Sequence, residues 1–121
     1  MATLTPKLTL TSSDVTTDTL SFSIEDALDT AEPTVNIARQ SIATGSAQAV
    51  IASNSAFSHV FLHVASGTNA SDWVQIKLGG DAKMKMRVGE FAFFPLYTSQ
   101  AITAEAQGGA CILEYGFWTN S

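Results

Sequence analysis

The sequence is poor in cysteine, in basic residues and in charge of either sign. Its 121 residues include a single cysteine, Cys111, which excludes an internal disulfide. Six Lys and Arg residues against 11 Asp and Glu give a formal net charge of −5. The chain therefore lacks the positive field that attracts phosphate backbones, and we expect no nucleic-acid partner.

Long apolar stretches are missing as well. No apolar run approaches the roughly 18 residues of a membrane-spanning helix, so we expect no membrane partner. Residues 1–14 lack the charged and then apolar layout of a signal peptide. With 45% hydrophobic residues the chain is too apolar for a disordered acidic tail, and its length suits one domain.

Apolar and polar residues alternate along most of the chain, which is typical of β-strands that bury one face. The alternating stretches are Leu8–Leu10, Leu20–Ile24, Val35–Ile37, Ala47–Ala52, His59–Val64, Trp73–Leu78, Met84–Val88, Phe91–Leu96, Ala101–Ala106 and Ala110–Trp118. Turn residues separate them, and strand starts fall roughly 8–12 residues apart, as in all-β sandwiches. We predict an all-β fold: a two-sheet antiparallel β-sandwich of nine or ten strands, like a jelly roll.

The first 34 residues differ in composition from the rest. They carry a net charge of −5 and nine of the 14 threonines, whereas residues 35–121 contain five basic and five acidic residues. Because large apolar side chains are few there, this acidic, Ser/Thr-rich segment buries little surface by itself. We expect residues 1–34 to be either edge strands of the same domain or an arm that docks on another subunit, with residues 35–121 as the sandwich core.

Part of the N-terminal segment also fits a short helix. Residues 23–31 place Ser23 and Asp26, which suit helix capping, among apolar residues, and Pro33 would end the helix. The pattern predicts one or two helical turns.

Two histidines four residues apart, His59 and His63, raise the question of a metal site. Here they lie on a predicted strand, where four residues span about 13 Å, whereas zinc ligands lie about 2 Å from the metal. Glu105 and Glu114 lie on late strands, and no sequence feature pairs them with another group. We expect no metal and no cofactor, and histidines that pack or face solvent.

No nucleophile or pair of carboxyl groups stands out as catalytic. Cys111 begins a hydrophobic strand, where burial raises the pKa of a thiol. The acidic run in residues 25–32 lies in a polar segment and indicates a solvated face, since acid–base catalysis needs carboxyls in contrasting environments. An enzyme would need a cleft that joins His59 or His63 to a carboxylate or to Cys111. We predict no catalytic residues.

Basic residues gather at Lys77, Lys83, Lys85 and Arg87, and the last three share one face of a predicted strand. This stripe is either a solvated outer face or a contact for an acidic surface, including residues 14–32 of another copy. The interface candidates are Lys7, Asp14, Asp18, Lys83, Lys85 and Arg87.

Four aromatic residues offer a different kind of binding site. Trp73, Tyr97, Phe117 and Trp118 are candidates for a sugar-stacking platform. Aromatic side chains at strand spacing more often belong to a core or an interface, which is the competing interpretation.

Three segments of the chain resemble small β-rich virion proteins of tailed bacteriophages, particularly those from aquatic hosts. The segments are Lys7–Asp14, Val88–Leu96 and Cys111–Trp118, which together make up 25 of the 121 residues. The resemblance implies a capsid decoration or tail-associated protein present in several copies per particle, and it transfers no functional residue.

The resemblance and the lack of a reactive constellation together predict a non-enzymatic phage structural protein. The first hypothesis is a decoration or cement protein that forms homo-oligomers and binds and stabilises capsid subunits in the virion. It would assemble in the host cytoplasm, where a chain without disulfides is suited to fold. The alternative is a tail- or fibre-associated module that binds a host receptor or glycan.

Overall fold

A computed structural model describes residues 2–14, 19–30, 37–51, 58–96 and 100–119. The strands are β1 (Ala2–Leu4), β2 (Lys7–Ser12), β3 (Leu20–Glu25), β4 (Leu28–Thr30), β5 (Ala38–Ile42), β6 (Gln48–Ile51), β7 (His59–Gly67), β8 (Trp73–Leu78), β9 (Asp81–Arg87), β10 (Phe91–Pro95), β11 (Ile102–Gln107) and β12 (Cys111–Trp118). Within the described residues there is no helix, which confirms the predicted all-β class.

The chain divides into two compact units, residues 1–33 and residues 34–119. The second unit holds two antiparallel four-stranded sheets, with strand orders β10-β7-β12-β5 and β6-β11-β8-β9. Its strand pairing is nested: β8 pairs with β9, β7 with β10, β6 with β11, and β5 with β12. The pairs β7–β12 and β8–β11 then join the inner strands of each sheet.

The two sheets enclose one hydrophobic core, which confirms the predicted sandwich of two sheets, although within the described residues these sheets hold eight strands rather than nine or ten. Val60, Leu62 and Val64 of β7 and Val74 and Ile76 of β8 have no exposed surface. The other core residues are Ile42, Ile51, Met86, Ile102, Ala104, Ala106, Cys111 and Leu113. Because side chains alternate along a strand, the residues between these core positions lie on the outer faces of the sheets.

Residues 1–33 contain an antiparallel ribbon. β2 pairs with β3 along six residues, and β1 pairs with β4 along three. The two pairings are separated at Pro6, which has no N–H to donate to a ladder. At this break the Asp26 N–H donates to the Pro6 carbonyl at 3.1 Å, so the two strands stay together.

The helix predicted within residues 23–31 is wrong for the described part of that segment. β3 and β4 cover most of it, and residues 31–36 lie outside the described chain. The alternation of Leu20, Phe22 and Ile24 prevails over the helical spacing, because it places these apolar side chains on one face of a strand that pairs with β2 along six residues and so satisfies the backbone groups on that edge.

Candidate interaction surfaces

One face of the β2–β3 ribbon is apolar and exposed. Directly paired residues of an antiparallel ribbon project to the same side, so Leu8 with Ile24 and Leu10 with Phe22 form one face. We call these four residues the apolar ribbon face; they are 39% to 56% exposed. The opposite face is polar, with residues such as Thr9.

An uncovered apolar face is costly for so small an element. A two-stranded ribbon is marginally stable in water by itself, and apolar surface gains about 25 cal/mol per Å² when it is buried. If another surface packed against this face, it would order the ribbon and remove the apolar area from water. Alternation already places Leu8 with Leu10, and Phe22 with Ile24, on one side of each strand, and the pairing register joins the two sides into one face.

Three interface candidates belong to this N-terminal segment. Lys7 is exposed at the start of β2. Asp14 follows β2 and accepts a hydrogen bond from the Ser12 hydroxyl at 3.0 Å. Asp18 lies outside the described residues. The described acidic residues within 25–32 are exposed, which agrees with the predicted solvated face.

The outer face of the β10-β7-β12-β5 sheet is rich in aromatic side chains. Its register places Phe93 beside Phe61, and His59 beside Trp118. The His59 and Phe93 rings stack with centroids 5.8 Å apart, and the Trp118 ring lies 6.2 Å from Phe93. Phe91, on the edge strand β10, is 64% exposed. We define the aromatic face as Ile37, His59, Phe61, Phe91, Phe93 and Trp118.

A glycine makes room on the aromatic face. A Cβ at Gly116, the β12 neighbour of Phe61, would lie 2.8 Å from Ile37 Cδ1 and 3.1 Å from Trp118 Cη2. The missing side chain therefore lets Ile37 and Trp118 close over the backbone. Ile37 itself remains 46% exposed, so the apolar surface extends from β10 to the residue that precedes β5.

An ion-pair cluster crosses one end of the same sheet. Phe91, His63, Glu114 and Arg39 are direct neighbours on β10, β7, β12 and β5. Glu114 Oε1 lies 2.6 Å from His63 Nδ1, and Glu114 Oε2 lies 2.7 Å from Arg39 Nη2. The hydrogen bond with His63, supported by that with Arg39 and by both charges, lowers the pKa of Glu114, although burial acts in the opposite direction.

Replacement of Glu114 by Gln is expected to lower the melting temperature near neutral pH, with a difference that shrinks in acid. A carboxyl whose pKa is lower in the folded state stabilises the fold above its unfolded pKa, and this contribution is lost as the pH falls through the folded pKa. With an ordinary value of 4.5, the difference should decline below about pH 4.5. Thermal melts from pH 7 to pH 3 measure this dependence.

The matched control is Glu105→Gln on the other sheet, where the carboxylate accepts a hydrogen bond from the neutral Gln107 amide at 3.2 Å. We expect the Glu114 variant to show the larger pH-dependent difference. A Glu114→Gln melting curve that runs parallel to the wild type over the whole range would contradict the assigned ion pairs.

The His63–Glu114 pair does not include the thiol. Cys111 lies on the inner face of β12 and is 1% exposed, whereas the ion-pair cluster lies on the outer face. Burial, followed by the charge of Asp72, raises the pKa of Cys111, in agreement with the sequence-based expectation. Of the two pairings named for an enzyme, the structure therefore forms the one between a histidine and a carboxylate, on an outer sheet face, and does not bring His63 to Cys111.

The histidines engage protein groups rather than each other. His59 Nδ1 lies 3.0 Å from the Ser58 hydroxyl, and His63 contacts Glu114. Among the described residues, no group of three His, Cys, Asp or Glu side chains is placed to hold a metal ion. In the same part of the chain, no helix has the length and apolar character needed to cross a membrane.

The basic stripe follows the edge strand β9. Lys83, Lys85 and Arg87 are exposed, whereas Met86 between them is buried in the core. Lys85 Nζ lies 4.5 Å from the centroid of the Trp73 ring, a cation–π contact. Charged side chains on an edge strand also discourage pairing with other sheets, so the stripe has a structural role besides any contact it makes.

The aromatic residues proposed as a sugar-stacking platform are not brought together. Trp73 lies on the β6-β11-β8-β9 sheet, Trp118 lies on the aromatic face, and Phe117 packs against the core. Tyr97 lies outside the described residues. A single platform is therefore wrong for the described members, because alternation along β12 sends Phe117 and Trp118 to opposite sides.

A buried carboxylate in the β7–β8 turn has a structural explanation. Asp72 is 2% exposed, and its Oδ2 accepts a hydrogen bond from the Asn69 N–H at 2.7 Å. A Cβ at Gly108 or Gly109 would lie 2.6 Å or 2.7 Å from its oxygens. The glycine doublet thus gives the carboxylate room to pack.

The described residues therefore present an apolar ribbon face, an aromatic face with an ion-pair cluster at one end, and a basic stripe. Each of these is suited to contact another molecule. Comparison with protein-family models, with curated proteins and with solved structures gives no match for this chain.

Proposed function

We propose that the protein is a non-enzymatic structural component of a tailed-phage particle, foremost a capsid decoration protein that stabilises capsid subunits. The observation that carries the proposal is the apolar ribbon face, with its four exposed large side chains on a two-stranded element. Such an element needs a neighbouring surface to be well ordered. Binding to other protein molecules therefore explains the feature better than catalysis does.

The nested strand order supports the jelly-roll part of the proposal. In a jelly roll, eight strands form two sheets by folding a long hairpin over itself, so that the first strand pairs with the last. The pairs β5–β12, β6–β11, β7–β10 and β8–β9 follow this scheme. Viral capsid and lectin domains both use this architecture, so it supports either candidate function by analogy of fold alone.

The distribution of charge also favours assembly. Lys83, Lys85 and Arg87 form a positive stripe, and residues 1–34 have a net charge of −5. Opposite charges on one small protein guide the docking of neighbouring molecules more than they add affinity. Exposed pairs of this kind weaken as salt is raised.

Purified particles of the phage that encodes this chain provide the test. We expect quantitative mass spectrometry of density-gradient fractions to find the chain in a constant ratio to the major shell protein, through repeated washing. Removal of the chain should lower the temperature at which the particles release their DNA. Its presence in the soluble lysate alone, with none in the particle fractions, would refute the proposal.

A host-glycan or receptor module is the second candidate, favoured by the aromatic face. Phe91 and Phe93 offer ring surface to a sugar, while Arg39 and His63 offer polar groups at one end of the same sheet. A glycan array probed with the full chain separates the two functions. Saturable binding that Phe91→Ser abolishes would favour the glycan module over the decoration protein.

A further inference from the structure

We propose that the aromatic face of one copy binds the apolar ribbon face of a second copy. The inference rests on the proposed function only in that it treats residues 1–33 as an assembly arm. In this proposal each of the two faces is covered by another copy of the chain, so an oligomer forms in the absence of any particle.

The two surfaces match in chemistry. The ribbon offers Leu10 and Phe22, both 46% exposed, and the sheet offers Phe91 at 64%. Exposed apolar patches on a soluble chain commonly mark interaction sites. One chain that carries two such patches can cover both by binding copies of itself.

The surfaces also match in size. The strands β2 and β3 each have six residues, which corresponds to roughly 20 Å. The aromatic face runs along β10, β7 and β12, which have five, nine and eight residues. A ribbon of two strands can therefore lie across this sheet face along its whole length.

Complementary charge suggests one orientation. Asp14 binds the hydroxyl of Ser12, which shares the side of β2 that carries Leu8 and Leu10. An anionic group thus marks one end of the apolar ribbon face. At one end of the aromatic face, the Arg39 side chain is 69% exposed although it also contacts Glu114. Docking with Asp14 near Arg39 pairs opposite charges at the rim of the contact.

The contact joins two different surfaces, so it is heterologous. Repetition of a heterologous contact closes a ring when the rotation between copies allows it. The state expected in solution is therefore an oligomer in which each ribbon lies on the aromatic face of a neighbouring copy.

Photo-crosslinking of the full chain tests the contact directly. Phe22 is replaced by p-benzoylphenylalanine, and the product is mixed and reassembled with ¹⁵N-labelled chain before irradiation. We expect peptides that combine unlabelled β3 with ¹⁵N-labelled β7, β10 or β12. The control places the same photoreactive residue at Thr9, on the polar face of the ribbon, and should give few such peptides.

Crosslinks to the same copy, or to the ribbon of another copy, would overturn the proposal. So would crosslinks from the Thr9 position that equal those from the Phe22 position. These readings use isolated protein, so they are independent of whether the chain occurs in particles.

Sedimentation equilibrium gives a second, thermodynamic reading. The double variant Phe91→Ser and Phe93→Ser is expected to raise the dissociation constant of the oligomer at least tenfold, and so is Leu10→Ser with Phe22→Ser. The control is Gln75→Ser on the other sheet, which should leave the constant unchanged. A wild-type chain that stays monomeric at all concentrations would overturn the inference. If that chain is nevertheless found on particles, the proposed function still holds.

Discussion

Deletion of residues 1–12 is expected to weaken binding of the protein to particles about tenfold or more, a loss of at least about 1.4 kcal/mol, and so to lower its occupancy. The deletion removes β1 and β2, and with them Leu8 and Leu10. β3 then lacks its partner, so Phe22 and Ile24 are no longer held on one face. Reloading of stripped particles, followed by densitometry against the major shell protein, measures the occupancy.

The sandwich unit should remain folded in this deletion, because residues 34–119 form a compact unit with their own core. A far-ultraviolet circular dichroism spectrum with a cooperative thermal transition verifies this. Two double variants of the full-length chain are compared with the deletion. Leu8→Ser combined with Leu10→Ser should reproduce its effect. Thr9→Ala combined with Thr11→Ala, on the polar face, should not. Full occupancy after the deletion would show that the ribbon contributes nothing to binding on the particle, either directly or through a neighbouring copy.

Replacement of Leu62 by Ala is expected to lower the free energy of unfolding by about 2–5 kcal/mol. Leu62 has no exposed surface and lies on β7, which pairs with β10 on one side and β12 on the other. Hydrogen bonds hold the neighbouring strands in place, so the cavity collapses only in part and most of the lost contacts are not replaced. Urea unfolding followed by tryptophan fluorescence measures the change, since Trp73 and Trp118 both belong to this unit.

The matched control is Leu10→Ala, the same chemical change at a ribbon residue that is 46% exposed. It should alter the unfolding of residues 34–119 by much less than Leu62→Ala. Equal effects of the two variants would mean that the assigned core does not hold the sheets together.

The apolar–polar pattern did not identify β5, because the alternation is irregular along this strand. Of the strand predicted around Val35–Ile37, residues 35 and 36 lie outside the described part of the chain, and Ile37 directly precedes β5 (Ala38–Ile42). Gln40 occupies an inward position in β5, opposite Leu113, and its amide donates to the Ala49 carbonyl at 3.0 Å. Such an inward polar residue interrupts the alternation of apolar and polar residues in the sequence. The strand still forms, because the polar side chain has a hydrogen-bond partner.

The candidate surfaces were only partly visible in the sequence. The basic stripe of Lys83, Lys85 and Arg87 follows from alternation within one strand and is confirmed as an exposed face. The assembly role of those residues stays a prediction, and so does the placement of the chain in a virion.

The sequence by itself determined the strand character of the chain and the side on which each residue of a regular strand lies. Val60, Leu62 and Val64 face the core because a period of two is a local property of an extended backbone. Only the tertiary structure decided which residues become neighbours across strands. Pairing register joins positions far apart in the chain, such as His63 and Glu114, and no local spacing encodes it.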